Sequence, residues 1–185
     1  MLASTSLQSA EAFRKTRQIA EICPESSVSV LAGLVNQRLS YMKDVAAYKW
    51  KHQLPIEDLE REQAVIRNSI EQATAYGLDS ASTRNFFEEQ ITAAKLIQQY
   101  WFDQWTVYGF DEQLVFRDLN SEVRPALLKL GDQILRAISE LHLWKKSRRF
   151  ISRNRFNFIN SLTTEGLGLR EKRLLYEAAT QIEGR

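Results

Sequence analysis

The chain of 185 residues is long enough for one domain with a real core and too short to argue for two. A hydrophobic share of 44 %, a charged share of 26 % and a net charge of +2 describe an ordinary globular protein, with no basic field that would demand a nucleic acid or a membrane as partner. A single cysteine, Cys23, excludes an intrachain disulfide, and two histidines far apart in sequence, His52 and His142, leave a metal site little material.

Seven glycines and three prolines favour long helices over a turn-rich β fold. Met1 to Leu7 lacks the charged-then-apolar pattern of a signal peptide, and no apolar run approaches the roughly 20 residues of a membrane span. Either a cytosolic protein or a mature exported one fits. Pro24 to Ser27 reads as a turn followed by a helix N-cap, with Ser26 or Ser27 supplying the hydroxyl. From Val28 the apolar residues Leu31, Leu34, Val35, Leu39, Met42 and Val45 recur at helical spacing, predicting a helix of about 25 residues. It should end before Leu54-Pro55, because the residue preceding a proline is pushed out of the α region. A second helix is predicted from about Glu57 to Tyr76, closed by Gly77. Asp79 or Ser80 caps a third, which carries Phe86, Phe87, Ile91, Ala94, Ile97, Trp101 and Trp105.

After a loop around Gly109, Pro125 suits the first turn of a fourth helix and leaves Arg124 at that helix's mouth. Apolar periodicity runs on through Leu127, Leu130, Ile134, Ile138 and Leu141, then Trp144, Ile151 and Phe158, as one long helix or two. A final helix is expected over Leu169 to Ile182. The sum is a single all-α domain over residues 1–181, a bundle of about five to six helices, several of them long. Ile182-Glu183-Gly184-Arg185 spells a protease site commonly placed in expression tags and is set aside from the functional reading.

The informative residues are those that interrupt the apolar stripes. On the first helix Arg38 and Lys49 share the core-facing side, about three turns and ~16 Å apart along the axis. Two long cations leaning together there can hold one small dianion. On the third helix Gln98 falls in the stripe of Ile91, Ala94, Trp101 and Trp105, where unpaired amide groups would cost ~1–3 kcal/mol. Each of these residues also has an ordinary reading: the cations snorkel to the surface and the amide bonds a nearby backbone. Asp58, Arg61 and Glu62 share a face of the second helix and, alone, read equally as a solvated salt-bridge face. Together these features suggest an anion pocket in a helical bundle.

Quoted in order, Gln37-Arg38-Leu39, Asp44 to Ile56, Asp58, Arg61-Glu62-Gln63, Phe86-Phe87, Gln90-Ile91, Ala93-Ala94-Lys95 and Ile97-Gln98 resemble the exported subclass of all-helical chorismate mutases. The likeness is specific over residues 34–105 and thins beyond 110, where it rests on Asp118-Leu119 and on Arg124 at a helix start. It implies rearrangement of chorismate to prephenate, a step toward phenylalanine and tyrosine, with no metal and no cofactor. By the same resemblance Arg38 and Arg124 bind the substrate carboxylates, and Lys49 contacts a carboxylate and the ether oxygen whose bond breaks. Gln98 would donate to that oxygen, Asp58 and Arg61 would organise the pocket, with Arg61 also near a carboxylate, and Glu62 would accept from the ring hydroxyl. Compact members of the family borrow an arginine from a second subunit, whereas in the exported subclass the longer chain supplies it, here Arg124.

The sequence departs from the family's pattern at Ala94, where a hydroxyl residue is frequent, so one carboxylate contact is missing or made by backbone. Some relatives carry glutamate in place of Gln98, and the disulfide of some exported relatives is impossible with Cys23 alone. A homodimer and a periplasmic or secreted location are likewise implied by resemblance only. Two readings compete with the mutase. A lyase of the same fold that removes pyruvate from isochorismate needs a similar pocket. The run Lys145, Lys146, Arg148, Arg149, Arg153 and Arg155 offers a phosphate-binding patch for nucleic acid. Trp144, Ile151 and Phe158 recur every seven residues through that run, which reads better as the wet side of an amphipathic helix.

Overall fold

The computed structural model describes residues 24–142 and 148–184. Among them the chain forms seven α-helices and a π-helical turn, with no strand, so the all-α expectation holds.

Helices α1 (Pro24–Ser40) and α2 (Met42–Lys51) make one rod with a break at Tyr41. Tyr41 keeps helical angles (φ −68°, ψ −13°), and its carbonyl still accepts from the Val45 N–H at 3.1 Å. The rod is already helical at Pro24, where a turn with its cap at Ser26 or Ser27 was expected. Proline has its φ preset for a helix, so Pro24 does not oppose the helical conformation. At its far end the Gln53 N–H donates to the Trp50 carbonyl and the Leu54 N–H to the Lys49 carbonyl. This is the Schellman closure, with Gln53 in the left-handed conformation (φ 54°) that glycine normally takes.

Helix α3 (Leu59–Ala75) is capped by Asp58, whose carboxylate accepts from the Arg61 N–H. It ends in a second Schellman closure around Gly77 (φ 65°), where the Leu78 N–H returns to the Ala73 carbonyl. Helix α4 (Ser80–Tyr108) is capped by Asp79, which accepts from the Ser82 N–H, and stops at Gly109 (φ 86°). The π-helical turn Leu119–Val123, capped by Asp118, leads directly into α5 (Arg124–His142). Helices α6 (Arg148–Ser161) and α7 (Leu169–Gln181) complete the order. The long apolar periodicity that follows Pro125 is carried by α5 and α6, each packed on α1.

The main core is buried between α1, α4, α5, α6 and α7. Leu39, Phe86, Phe87, Ile134, Leu135, Ile138, Phe158, Leu162 and Leu175 are all almost fully enclosed. Each such side chain contributes about 1.5–3 kcal/mol relative to exposure. A smaller aromatic cluster lies between α2 and the end of α4, where Trp105 packs on Ala46 and Ala47 beside Trp50, Phe102, Phe110 and Phe116. Arg117 anchors the loop between α4 and the π turn. Its Nε meets the Asp44 carboxylate at 3.1 Å, and its guanidinium lies 4.3 Å from the centre of the Tyr41 ring.

The segment 182–184, set aside above, packs into this fold. Ile182 is 1 % exposed, the Glu183 N–H donates to Ser82 Oγ at 3.1 Å, and the Glu183 carbonyl accepts from the Asp79 N–H at 2.8 Å. Met1 to Leu7, Cys23, Trp144, Lys145, Lys146 and Arg185 lie outside the described residues, and for Arg148, Arg149, Ile151 and Arg153 only the backbone is described.

Candidate active site

A cavity of about 160 Å³ opens between the α1–α2 rod, α3, α4 and the first turn of α5. Arg38, Lys49, Asp58, Arg61, Glu62, Ala94, Gln98 and Arg124 all line it. Four separate elements thus bring together the residues singled out from sequence.

Arg38 stands in the last turn of α1 and is 5 % exposed, with no hydrogen-bond partner at Nε. Burial, and secondarily the like charge of Arg61, pull its guanidinium down from the ordinary arginine value to about 10. Lys49, also buried, donates from Nζ to the carbonyl of Ile56 in the loop that links α2 to α3. Burial holds its ammonium below the ordinary lysine value. Asp58 and Glu62 draw it back up, while Lys95 and Arg124 push it further down. Arg61 is lowered by burial and then by Arg124, against the pull of Asp58.

The acids are held by the helix start that displays them. Asp58 Oδ1 accepts from the Arg61 N–H at 3.0 Å, which is the N-cap of α3. One turn in, Glu62 Oε1 faces the Asp58 N–H at 3.4 Å, and Oε2 accepts from Lys95 Nζ at 3.1 Å. On α4 the amide nitrogen of Gln98 donates to the Ala94 carbonyl at 3.1 Å and lies 3.9 Å from Met42 Sδ, while its Oε1 is buried without a partner. Arg124, the first residue of α5, is steadied by an Nη1 bond of 2.6 Å to Asn120 Oδ1 in the π turn.

One functional candidate was missed from sequence. Lys95 lines the cavity and ion-pairs with Glu62 at 3.1 Å and Glu57 at 3.6 Å. Its position one helical turn before Gln98, on the same face of α4, was the available signal. Asn68, Ser69 and Gln72 extend the α3 side of the wall, and Val65, Ile91 and Leu127 supply apolar surface.

The chemistry of the wall follows from its charges. Five cationic side chains, Arg38, Lys49, Arg61, Lys95 and Arg124, face two carboxylates, Asp58 and Glu62. Such a surplus of partly dehydrated positive charge suits a small molecule with two carboxylates. Among the described residues no histidine or cysteine lines the cavity, and the wall offers binding and electrostatic stabilisation. Among the described residues no group of three His, Cys, Asp or Glu side chains is placed to hold a metal ion, and no helix is long and apolar enough to cross a membrane.

Residues 29–99 match the family described as chorismate mutase type II. The chain is 33 % identical over 160 residues to the monofunctional chorismate mutase of Enterobacter agglomerans, covering 85 % of this chain and 86 % of that one. It superposes on the crystal structure of the secreted chorismate mutase from Yersinia pestis with a TM-score of 0.76 and 32 % identity, over 84 % of this chain and 97 % of the other. The chorismate mutase from Burkholderia thailandensis gives a TM-score of 0.70 at 30 % identity, over 83 % and 96 % of the two chains. Sequence, helix order and cavity therefore agree, and the chain belongs to the chorismate mutase family, in its all-helical type II form.

Proposed function

We propose that the cavity converts chorismate to prephenate by positioning and electrostatics alone, and that its lining residues divide the work as follows. Arg38, Arg61 and Arg124 take the two carboxylates. Lys49 reaches a carboxylate and the ether oxygen, Gln98 donates to the same ether oxygen, and Glu62 accepts from the ring hydroxyl. Asp58 fixes the start of α3 so that Arg61 and Glu62 present from one turn. Ala94 contributes only a methyl to the wall and a carbonyl to Gln98, so it makes no hydroxyl contact with substrate. The observation that carries this reading is the meeting of cations from α1, α2, α3 and α5 with an α4 amide at one cavity.

The reaction is a unimolecular pericyclic shift in which the enolpyruvyl side chain folds over the ring, one carbon–carbon bond forms and the ether carbon–oxygen bond breaks. Neither a proton transfer nor a covalent enzyme intermediate is needed. Clamping both carboxylates holds the flexible substrate in the folded arrangement and removes part of the entropic barrier. As the carbon–oxygen bond lengthens, negative charge grows on the ether oxygen, and donors aimed there bind the transition state more strongly than the substrate. Both donors are preset by backbone. One of the three N–H bonds of Lys49 is committed to the Ile56 carbonyl, leaving two for the oxygen; Gln98 gives one N–H to the Ala94 carbonyl and the other to Met42 Sδ, a weak acceptor that the ether oxygen would displace.

The nearest rival is release of pyruvate from isochorismate in a similar pocket. Glu62 at the α3 start, and the sequence likeness from Tyr48 to Ile56, favour the mutase. Purified protein incubated with each compound separates the two: prephenate from chorismate supports the proposal, and pyruvate from isochorismate without prephenate formation overturns it. The likeness to the secreted enzyme supports action outside the cytoplasm, and the family resemblance supports a homodimer in which each Arg124 serves its own cavity. Light scattering of the purified protein checks the mass, and an arginine-free first turn (Arg124→Ala) mixed with a Lys49→Ala chain checks the independence of the sites. Restored activity in the mixture would mean that the arginine crosses between subunits.

A further inference from the structure

Lys95 carries an inference that rests on the mutase reading above and goes beyond it. Its ammonium sits between two carboxylates, 3.1 Å from Glu62 Oε2 and 3.6 Å from Glu57 Oε1. Glu62 is the more enclosed partner, its side chain 17 % exposed against 64 % for Glu57. The two acids belong to different elements, Glu57 to the loop after α2 and Glu62 to the first turn of α3, while Lys95 projects from the middle of α4. The lysine therefore ties both to the long helix that also presents Gln98. The loop it ties down is the one whose Ile56 carbonyl receives Lys49 Nζ.

A carboxylate on a flexible glutamate side chain is a poorly defined acceptor until both its oxygens are oriented. Here Oε2 is taken by Lys95, and Oε1 has only the long 3.4 Å contact with the Asp58 N–H. With about four lone-pair sites on the group, Oε1 retains room for one strong, short bond to a hydroxyl. We propose that Lys95 is a positioning residue: the ion pair it makes from α4 aims Glu62 Oε1 at the ring hydroxyl of the substrate, and so sets recognition of that hydroxyl. Chain chemistry at the ether oxygen is left to Lys49 and Gln98. Hydroxyl recognition is shared by substrate and transition state, so the loss should enter KM more than kcat.

The test is a cycle of four proteins, wild type, Lys95→Met, Glu62→Gln and the double variant, each assayed for kcat and KM with chorismate. Lys95→Met should lower kcat/KM about tenfold, mainly through KM, and should cost less than about twofold further once Glu62 is already glutamine. Lys95→Arg, which keeps a cation in reach of Oε2, should recover most of the loss. Melting curves of all five proteins separate a binding defect from a folding defect. Equal losses in both Glu62 backgrounds would show that Lys95 acts on the substrate directly, and no loss would show that it acts on neither; either result overturns the proposal. Wild-type protein that does not turn over chorismate at all would fail the mutase reading itself, a different outcome from either of these.

Discussion

The main core and the cavity wall share the same helices and bury side chains by opposite means. In the core α1 contributes Leu31, Val35 and Leu39, which pack against Phe86, Ile134, Ile138 and Phe158 with no polar atom to satisfy. Within the next few turns the same rod buries Arg38 and Lys49. The first has a partnerless Nε, the second only a backbone carbonyl, and both have their charged forms disfavoured. Burial of apolar area stabilises the first region on its own. The second region is stabilised fully only when an anion completes it. Binding residues built this way hold their geometry in advance, and the cost is carried by the rest of the fold.

That contrast breaks most visibly at Lys49. On the proposed mechanism Lys49→Ala removes a donor to the ether oxygen and should lower kcat by about 10²–10³-fold with little change in melting temperature. Steady-state kinetics checks it, and near-wild-type turnover would remove Lys49 from the mechanism. Arg38→Met sharpens the same point from the stability side. It replaces an unneutralised buried cation by an apolar side chain of similar length, so urea unfolding should show a gain of about 1–3 kcal/mol while turnover is lost. The equivalent truncation in the core, Ile138→Ala, should instead cost about 2–5 kcal/mol.

The pH dependence distinguishes the two regions again. Lys49 loses its proton at lower pH in the folded chain than the ordinary value of 10.5, so kcat/KM should fall on the alkaline side before 10.5 is reached. Over that window the unfolded chain binds more protons than the folded one, so the contribution of Lys49 to stability rises with pH as activity declines. Gln98→Glu should add an acid-favouring limb, because a carboxyl donates to the ether oxygen only when protonated, whereas the native amide donates at any ordinary pH. A pH–rate profile left unchanged by this substitution would count against Gln98.

The smallest effect concerns the two Schellman closures. Gly77 ends α3 at no steric cost, whereas Gln53 ends α2 with φ at 54° beside the loop that holds Lys49. Gln53→Gly should raise stability by about 0.5–1 kcal/mol in chemical denaturation.

Much of this architecture was readable from local chemistry. Asp58 and Asp79 cap helices, Gly77 and Gly109 end them, and Pro125 places Arg124 in the first turn of α5, each through short-range effects that a sequence displays. The break at Tyr41 was not readable, since no glycine or proline marks it and the helical angles persist through it. Lys95 was overlooked because a lysine on a helix reads as solvated until its tertiary partners, Glu57 and Glu62, are known. The orientation of the Gln98 amide likewise depends on contacts across helices, with Met42 as well as Ala94. The places of Arg38, Lys49 and Gln98 in apolar stripes already suggested an anion pocket, but the full set that meets there, Arg124 included, was expected only from the family resemblance, because periodicity places residues on a face without saying which faces meet.

The dependence of the cavity wall on a bound anion is tested most directly by calorimetric titration of a stable dicarboxylate analogue of the transition state into wild type and Arg38→Met. The account predicts tight binding to the wild type, a raised melting temperature in its presence, and at least a hundredfold weaker binding to the variant, about 3 kcal/mol for removing the buried cationic partner of a carboxylate. Equal affinity for the two proteins would contradict it.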